Sequence, residues 1–157
     1  MTAGGRDNTG TDQSLAVYEA EVWSPATETW TTLAPMQIPR MYHSVGLLLP
    51  DGRVLVAGSG RDRRTTNNQL NAEIFSPPYL FKGARPSITS APSTPVAYGA
   101  SFFAGTPDGA GIISVSLIRI GAVTHTFHQD QRFLSLTFQQ TAGGLTVQTP
   151  ANANLAP

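Results

Sequence analysis

The chain has 157 residues, enough for one ordinary domain or two small ones, and ten basic residues balance ten acidic ones. That balance supplies no field for nucleic acid or an anionic membrane, and no apolar run approaches the length of a membrane span. The absence of cysteine excludes a disulfide framework, a thiolate metal site and a cysteine nucleophile, while 13% charged residues with abundant Ser, Thr, Gly and Pro favour short strands and turns over helices.

The first thirteen residues, MTAGGRDNTGTDQ, are polar and Gly-rich, with no basic region leading into an apolar one, so they are not a signal peptide. Ala20-Glu21-Val22-Trp23-Ser24-Pro25 then recurs as Ala72-Glu73-Ile74-Phe75-Ser76-Pro77, an offset of 52 residues. A glycine-rich turn followed by Arg-Asp precedes each copy, at Ala3–Asp7 and at Ala57–Asp62. A period near 50 residues is that of kelch repeats, each a four-stranded propeller blade, and predicts about two blades here. Trp23 and Trp30 bracket a turn-rich connection between two outer strands, and their rings are expected to pack between blades.

Between the copies, the apolar runs Tyr42–Leu49 and Arg53–Gly58 flank Pro50-Asp51-Gly52, a hairpin whose Gly supplies the positive φ of a tight turn. Arg61, Arg63 and Arg64, with Asp62, read as a solvated loop. The repeat stops at Pro77-Pro78, and Lys82–Pro86 reads as a linker. Strands are then predicted at Val96–Ala104, Ile112–Gly121, Arg132–Gln139 and Leu145–Thr149, with Gly143-Gly144 turning one hairpin. Ile113, Val115 and Leu117 alternate with Ser114 and Ser116 as on a half-buried strand. This is the pattern of an antiparallel immunoglobulin-like sandwich. The expected architecture is all-β, with propeller blades over residues 1–81 and a sandwich over 82–157, cut short at both ends.

The chemistry has few candidates. The histidines are His43, His125 and His128. Tyr42-His43 opens an inner strand and Thr124-His125-Thr126 follows a strand of the second domain. Two imidazoles and a phenolate suit copper, which favours nitrogen donors and tolerates a weak axial ligand. His43 has a plainer reading as a packing residue of a kelch blade. Adjacent residues of a regular strand also face opposite ways, so Tyr42 and His43 share a metal only where the chain is irregular. His128, beside Gln129 and Asp130, is expected to be solvated. No G-x-S-x-G elbow, carboxylate pair or phosphate-binding glycine loop is present.

Tyr42-His43-Ser44 running into Leu-Leu-Leu-Pro-Asp-Gly-Arg-Val, then Ala72–Leu80 and Arg85-Pro86, resemble the copper-radical oxidase family of galactose oxidase and glyoxal oxidase. Ser116–Arg119, Thr124-His125-Thr126 and Asp130-Gln131-Arg132 continue the likeness in the same order. The resemblance implies copper ligands at Tyr42, His43 and His125, with Tyr42 axial and taking the substrate's proton. The imidazole nitrogens of His43 and His125 would then lie within roughly 4–5 Å of each other, each bonded to the metal at about 2 Å. It also implies oxidation of a small primary alcohol, aldehyde or carbohydrate, with O₂ going to hydrogen peroxide, in a parent protein outside the cell or in its envelope. The family's radical cofactor is a Tyr cross-linked to a Cys, and a chain without Cys cannot build it, so it is expected to be inactive alone. The Arg61–Gln69 loop replaces one that bears a disulfide in galactose-specific members, which argues against galactose. A kelch and sandwich module binding glycans or wall polymers without redox chemistry is the alternative.

Overall fold

The computed structural model describes residues 2–3, 13–60, 68–123, 128 and 130–156. Among them the chain forms eleven short strands and three single turns of 3₁₀ helix, with no α-helix. The chain is therefore all-β. It divides into two compact units, residues 1–80 with 120–129, and residues 81–119 with 130–157.

The first unit holds two three-stranded antiparallel sheets. One runs β1 (Thr2–Ala3), β2 (Glu19–Ser24), β3 (Thr29–Pro35), and the other β4 (Ser44–Leu48), β5 (Val54–Gly58), β6 (Ala72–Phe75). The sequence repeat is realised in the pairing: β1–β2 and β5–β6 are equivalent antiparallel pairs, and β2 and β6 carry the two Ala-Glu segments. The stretch answering to β3 in the second copy, residues 81–87, forms no strand and follows the turn Pro78–Phe81. Trp23 lies directly opposite Trp30, but both rings are largely exposed rather than packed between sheets. Val56, on the central strand β5, is the buried apolar residue of the second sheet.

The β4–β5 turn forms as its sequence dictates. Gly52 N–H donates to Leu49 C=O at 2.9 Å, Leu49 N–H donates to Arg53 C=O at 2.8 Å, and Gly52 has φ +85°. Residues 61–67, with the arginine-rich loop, lie outside the described residues, as do Gly4–Asp7 of the first glycine-rich turn.

The second unit has a three-stranded sheet, β7 (Ser101–Gly105), β11 (Gly144–Gln148) and β10 (Phe138–Thr141), with β11 central. Its core is Leu145 and Val147 on that strand. A Cβ on Gly144 would lie 2.2 Å from the Ala104 carbonyl oxygen, so only glycine allows this pairing. A second sheet pairs β8 (Val115–Ile118) with β9 (Phe133–Leu136).

The predicted strands are present; Leu145–Thr149 appears one residue earlier as β11, and the other three are shorter. Arg132–Gln139 becomes two, because the chain leaves β8 at Thr137, whose carbonyl accepts Gln148 N–H at 2.9 Å, and continues against β11. Residues 96–100 are irregular, since Gly99, at φ +68°, bends the chain and Thr149 bonds to Ala100 instead of a strand partner. The hairpin turn is Ala142-Gly143, and Gly144 already pairs with Thr141. On the β8 side Ile113 is 94% exposed and Leu117 43% exposed, so the expected alternation is not expressed as burial. A two-stranded ribbon with no third strand among the described residues cannot cover its own face.

Candidate metal centre

Tyr42 and His43 sit where β4 begins. Ser44 N–H donates to Met41 C=O at 3.1 Å, closing a turn with Tyr42 and His43 as its central residues. His43 has φ +62°, at a turn position that usually takes Gly or Asn. A left-handed conformation at a non-glycine residue costs about 1–3 kcal/mol and persists only where its surroundings impose it. The turn is the irregularity that a shared site needs. The rings of Tyr42 and His43 lie on one side, centroids 4.0 Å apart and planes inclined at 36°.

An arc at the end of β5 imposes the conformation. Gly58, Ser59 and Gly60 all have positive φ, at +76°, +111° and +136°. Gly60 N–H donates to Tyr42 C=O at 2.9 Å. His43 Nδ1 lies 3.1 Å from Gly60 C=O, and because a carbonyl only accepts, Nδ1 carries the proton. In the neutral ring the lone pair is then on Nε2, the tautomer a metal ligand needs. A Cβ on Gly58 would lie 2.6 Å from His43 C=O, so the close approach depends on glycine.

Beneath the turn lies Arg40, fully buried. Its Nη1 donates to Gly58 C=O at 2.8 Å and to Asn71 C=O at 3.2 Å. Its Nη2 donates to Asn71 Oδ1 at 2.9 Å and to Glu73 Oε2 at 3.3 Å. The Glu73 carboxylate also accepts Gln37 N–H at 2.8 Å and Ile38 N–H at 3.2 Å. Met41 N–H donates to Ser59 Oγ at 3.1 Å, and Met41 and Ser59 are both buried. Sequence reasoning did not single out Arg40, Ser59, Asn71 or Glu73. One signal was available for Glu73: it recurs in the repeat at the position of Glu21, which here is exposed.

His125 lies outside the described residues, as do its neighbours 124, 126 and 127. The described residues on either side of it, 120–123 and 128, group with residues 1–80. A Cβ on Gly121 would lie 3.0 Å from Leu47 Cδ2 on β4 and 2.6 Å from His128 Nε2. His128 is half-buried against this glycine rather than solvated, and its Nδ1 is buried without a hydrogen-bond partner among the described residues. No group of three or more His, Asp or Glu converges among the described residues. What the turn presents is one phenol oxygen and one imidazole Nε2 from adjacent, exposed residues, a donor pair that fits Cu(II). No helix among the described residues is long and apolar enough to cross a membrane.

Two family models match in tandem, "Glyoxal oxidase N-terminus" over residues 6–79 and "Galactose oxidase-like, Early set domain" over residues 85–157. A galactose oxidase of Gibberella zeae is 35% identical over 99% of the chain and 24% of its own length. The aldehyde oxidase GLOX of Vitis pseudoreticulata is 39% identical over 70% of the chain and 23% of its own. The chain thus spans about a quarter of the length of these relatives. A solved structure of a fungal alcohol oxidase of the AA5 family, in complex with copper, superposes with a TM-score of 0.87 at 31% identity, over 98% of this chain and 34% of that one.

Proposed function

We propose, given that this chain belongs to the family of galactose oxidase and glyoxal oxidase, that it is the C-terminal region of a copper-radical oxidase and supplies three of its copper ligands. Residues 1–81 would be the last kelch blades, with the early-set domain over 82–157. The parent would act outside the cell or in its envelope. The ligands would be Tyr42, His43 and His125.

The observation that carries this reading is the turn at His43, whose backbone and Nδ1 bond leave Nε2 beside the Tyr42 ring. His125 lies four residues beyond Gly121, and His43 lies four before Leu47, against which Gly121 packs.

A primary alcohol loses two electrons and two protons in becoming an aldehyde, and O₂ gains both to become hydrogen peroxide. Bound copper would supply Lewis acidity at the substrate oxygen and one of the two electron-accepting sites. Tyr42, as a ligand of that copper, would take the hydroxyl proton. His43 offers Nε2 to the metal, while its Nδ1 proton, held by Gly60 C=O, stops the ring from turning. The second one-electron carrier needs a Cys that this chain lacks, so it must come from elsewhere in the parent.

The test is Cu(II) titration of the chain followed by electron paramagnetic resonance. A signal with two nitrogen couplings should be lost in His43→Ala and in His125→Ala and kept in His128→Ala. Equal loss in all three variants would mean surface binding and would leave the non-catalytic binding module as the reading.

A further inference from the structure

We infer that Arg40 and Ser59 are positioning residues for the Tyr42–His43 pair, holding the phenol and imidazole in register before any metal arrives. The significance for copper rests on the reading above, but the positioning itself does not.

A buried guanidinium is costly unless its donors are matched, and that of Arg40 is matched through both terminal nitrogens, while its Nε is buried with no partner among the described residues. Here both terminal nitrogens of Arg40 are spent on groups flanking one turn. Nη1 grips Gly58 C=O, the first residue of the arc, and Nη2 grips Asn71 and Glu73 at the start of β6. Glu73 in turn holds the backbone of Gln37 and Ile38, which lead into the turn. Arg40 therefore fixes the approach to Tyr42 from one side and the arc from the other. Its planar fork makes these bonds at fixed angles, which a lysine ammonium cannot reproduce.

Ser59 closes the remaining distance. Its Oγ accepts Met41 N–H at 3.1 Å, and its carbonyl accepts Gln69 N–H at 3.0 Å. A serine at φ +111° is held where glycine would be more at ease. Glycine would relieve the backbone there, whereas serine adds a hydroxyl that satisfies the N–H of a buried residue. That hydroxyl bonds to the residue immediately before Tyr42.

Position and stability are separable in the variant Ser59→Gly, which relaxes the backbone while removing the Met41 bond. The full 157-residue chain, isotope-labelled and metal-free, would be studied by NMR. In the unsubstituted chain His43 should show the Nδ1–H tautomer and ring-to-ring contacts with Tyr42. In Ser59→Gly the relief of backbone strain and the loss of the Met41 bond offset each other, so the thermal midpoint should shift little, while the tautomer becomes mixed and the ring contacts weaken. Arg40→Lys should lose the same signature even where its fold is kept. Cu(II) affinity should fall about 10-fold to 100-fold in both, the usual effect of removing a group that orients a metal ligand. An unchanged tautomer and unchanged ring contacts in Ser59→Gly would overturn the inference whatever the metal does. Loss of the NMR signature in a protein whose unsubstituted form binds no Cu(II) through His43 would sustain the positioning role and sink the copper reading instead.

Discussion

The two ends of the β4–β5 hairpin are built from the same strands and could hardly differ more. At the Leu49–Gly52 end the positive φ falls on glycine, and the neighbouring ion pair, Arg53 Nε to Asp51 Oδ2 at 2.7 Å, has both side chains more than 40% exposed. At the Met41–Ser44 end positive φ falls on His43 and, across the ladder, on Ser59, and the supporting arginine is buried. The first end satisfies the chain's local preferences. The second overrides them, and does so with hydrogen bonds from groups distant in sequence. Strain kept where glycine was available marks the side chain itself as the thing retained. That is the physical ground for treating one turn as a site and the other as a connection.

Alanine at each end sharpens the contrast and carries the largest expected effect. Gly52→Ala should cost about 1–2 kcal/mol, the conformational penalty of a left-handed residue, because its Cβ meets only the side chains of Leu80 and Tyr79. Gly58→Ala should cost about 3 kcal/mol, since the same penalty is joined by forced displacement of the His43 carbonyl. Urea unfolding of the two variants measures the difference, and equal costs would remove the asymmetry between the ends.

A smaller effect is expected from pH. Burial, with the Asp51 carboxylate second, pushes the Tyr79 phenol up, and its hydroxyl donates to Gly52 C=O. A raised pKa in the folded state means that the stabilisation is complete below the ordinary tyrosine value of about 10 and is lost as pH rises through the folded value. Melting curves should show an alkaline decline that is shallower in Tyr79→Phe. An identical decline in that variant would place the titrating group elsewhere.

The smallest effect belongs to the exposed ion pair. Arg53→Gln should change stability by about 0–1 kcal/mol, and less in high salt. A loss as large as that of Gly58→Ala would show the outer turn to be as constrained as the inner one.

The outer turn was legible in the sequence because Pro50-Asp51-Gly52 encodes it locally. The all-β class was legible through the 52-residue repeat, since β2 and β6 bear its two copies. The left-handed turn at His43 was not, because nothing in Arg40–Ser44 favours positive φ there. It is set by Gly58–Gly60, one strand away, and by Asn71 and Glu73, 31 and 33 residues on from Arg40. The burial of Arg40 was not legible either, since an arginine is almost never fully buried without partners that a linear sequence does not display. The break at Thr137 was hidden for a related reason: Phe133–Gln140 keeps strand-like composition throughout while the chain changes sheets.

The division of the chain has a consequence for proteolysis. Lys82 is the single lysine of the sequence; it is exposed and sits just past the Leu80–Phe81 junction of the two units. A lysine-specific endoprotease thus has one site, and cleavage there leaves residues 1–82 and 83–157 as separate polypeptides. Because residues 120–129 group with 1–80, the first unit would afterwards consist of two chains.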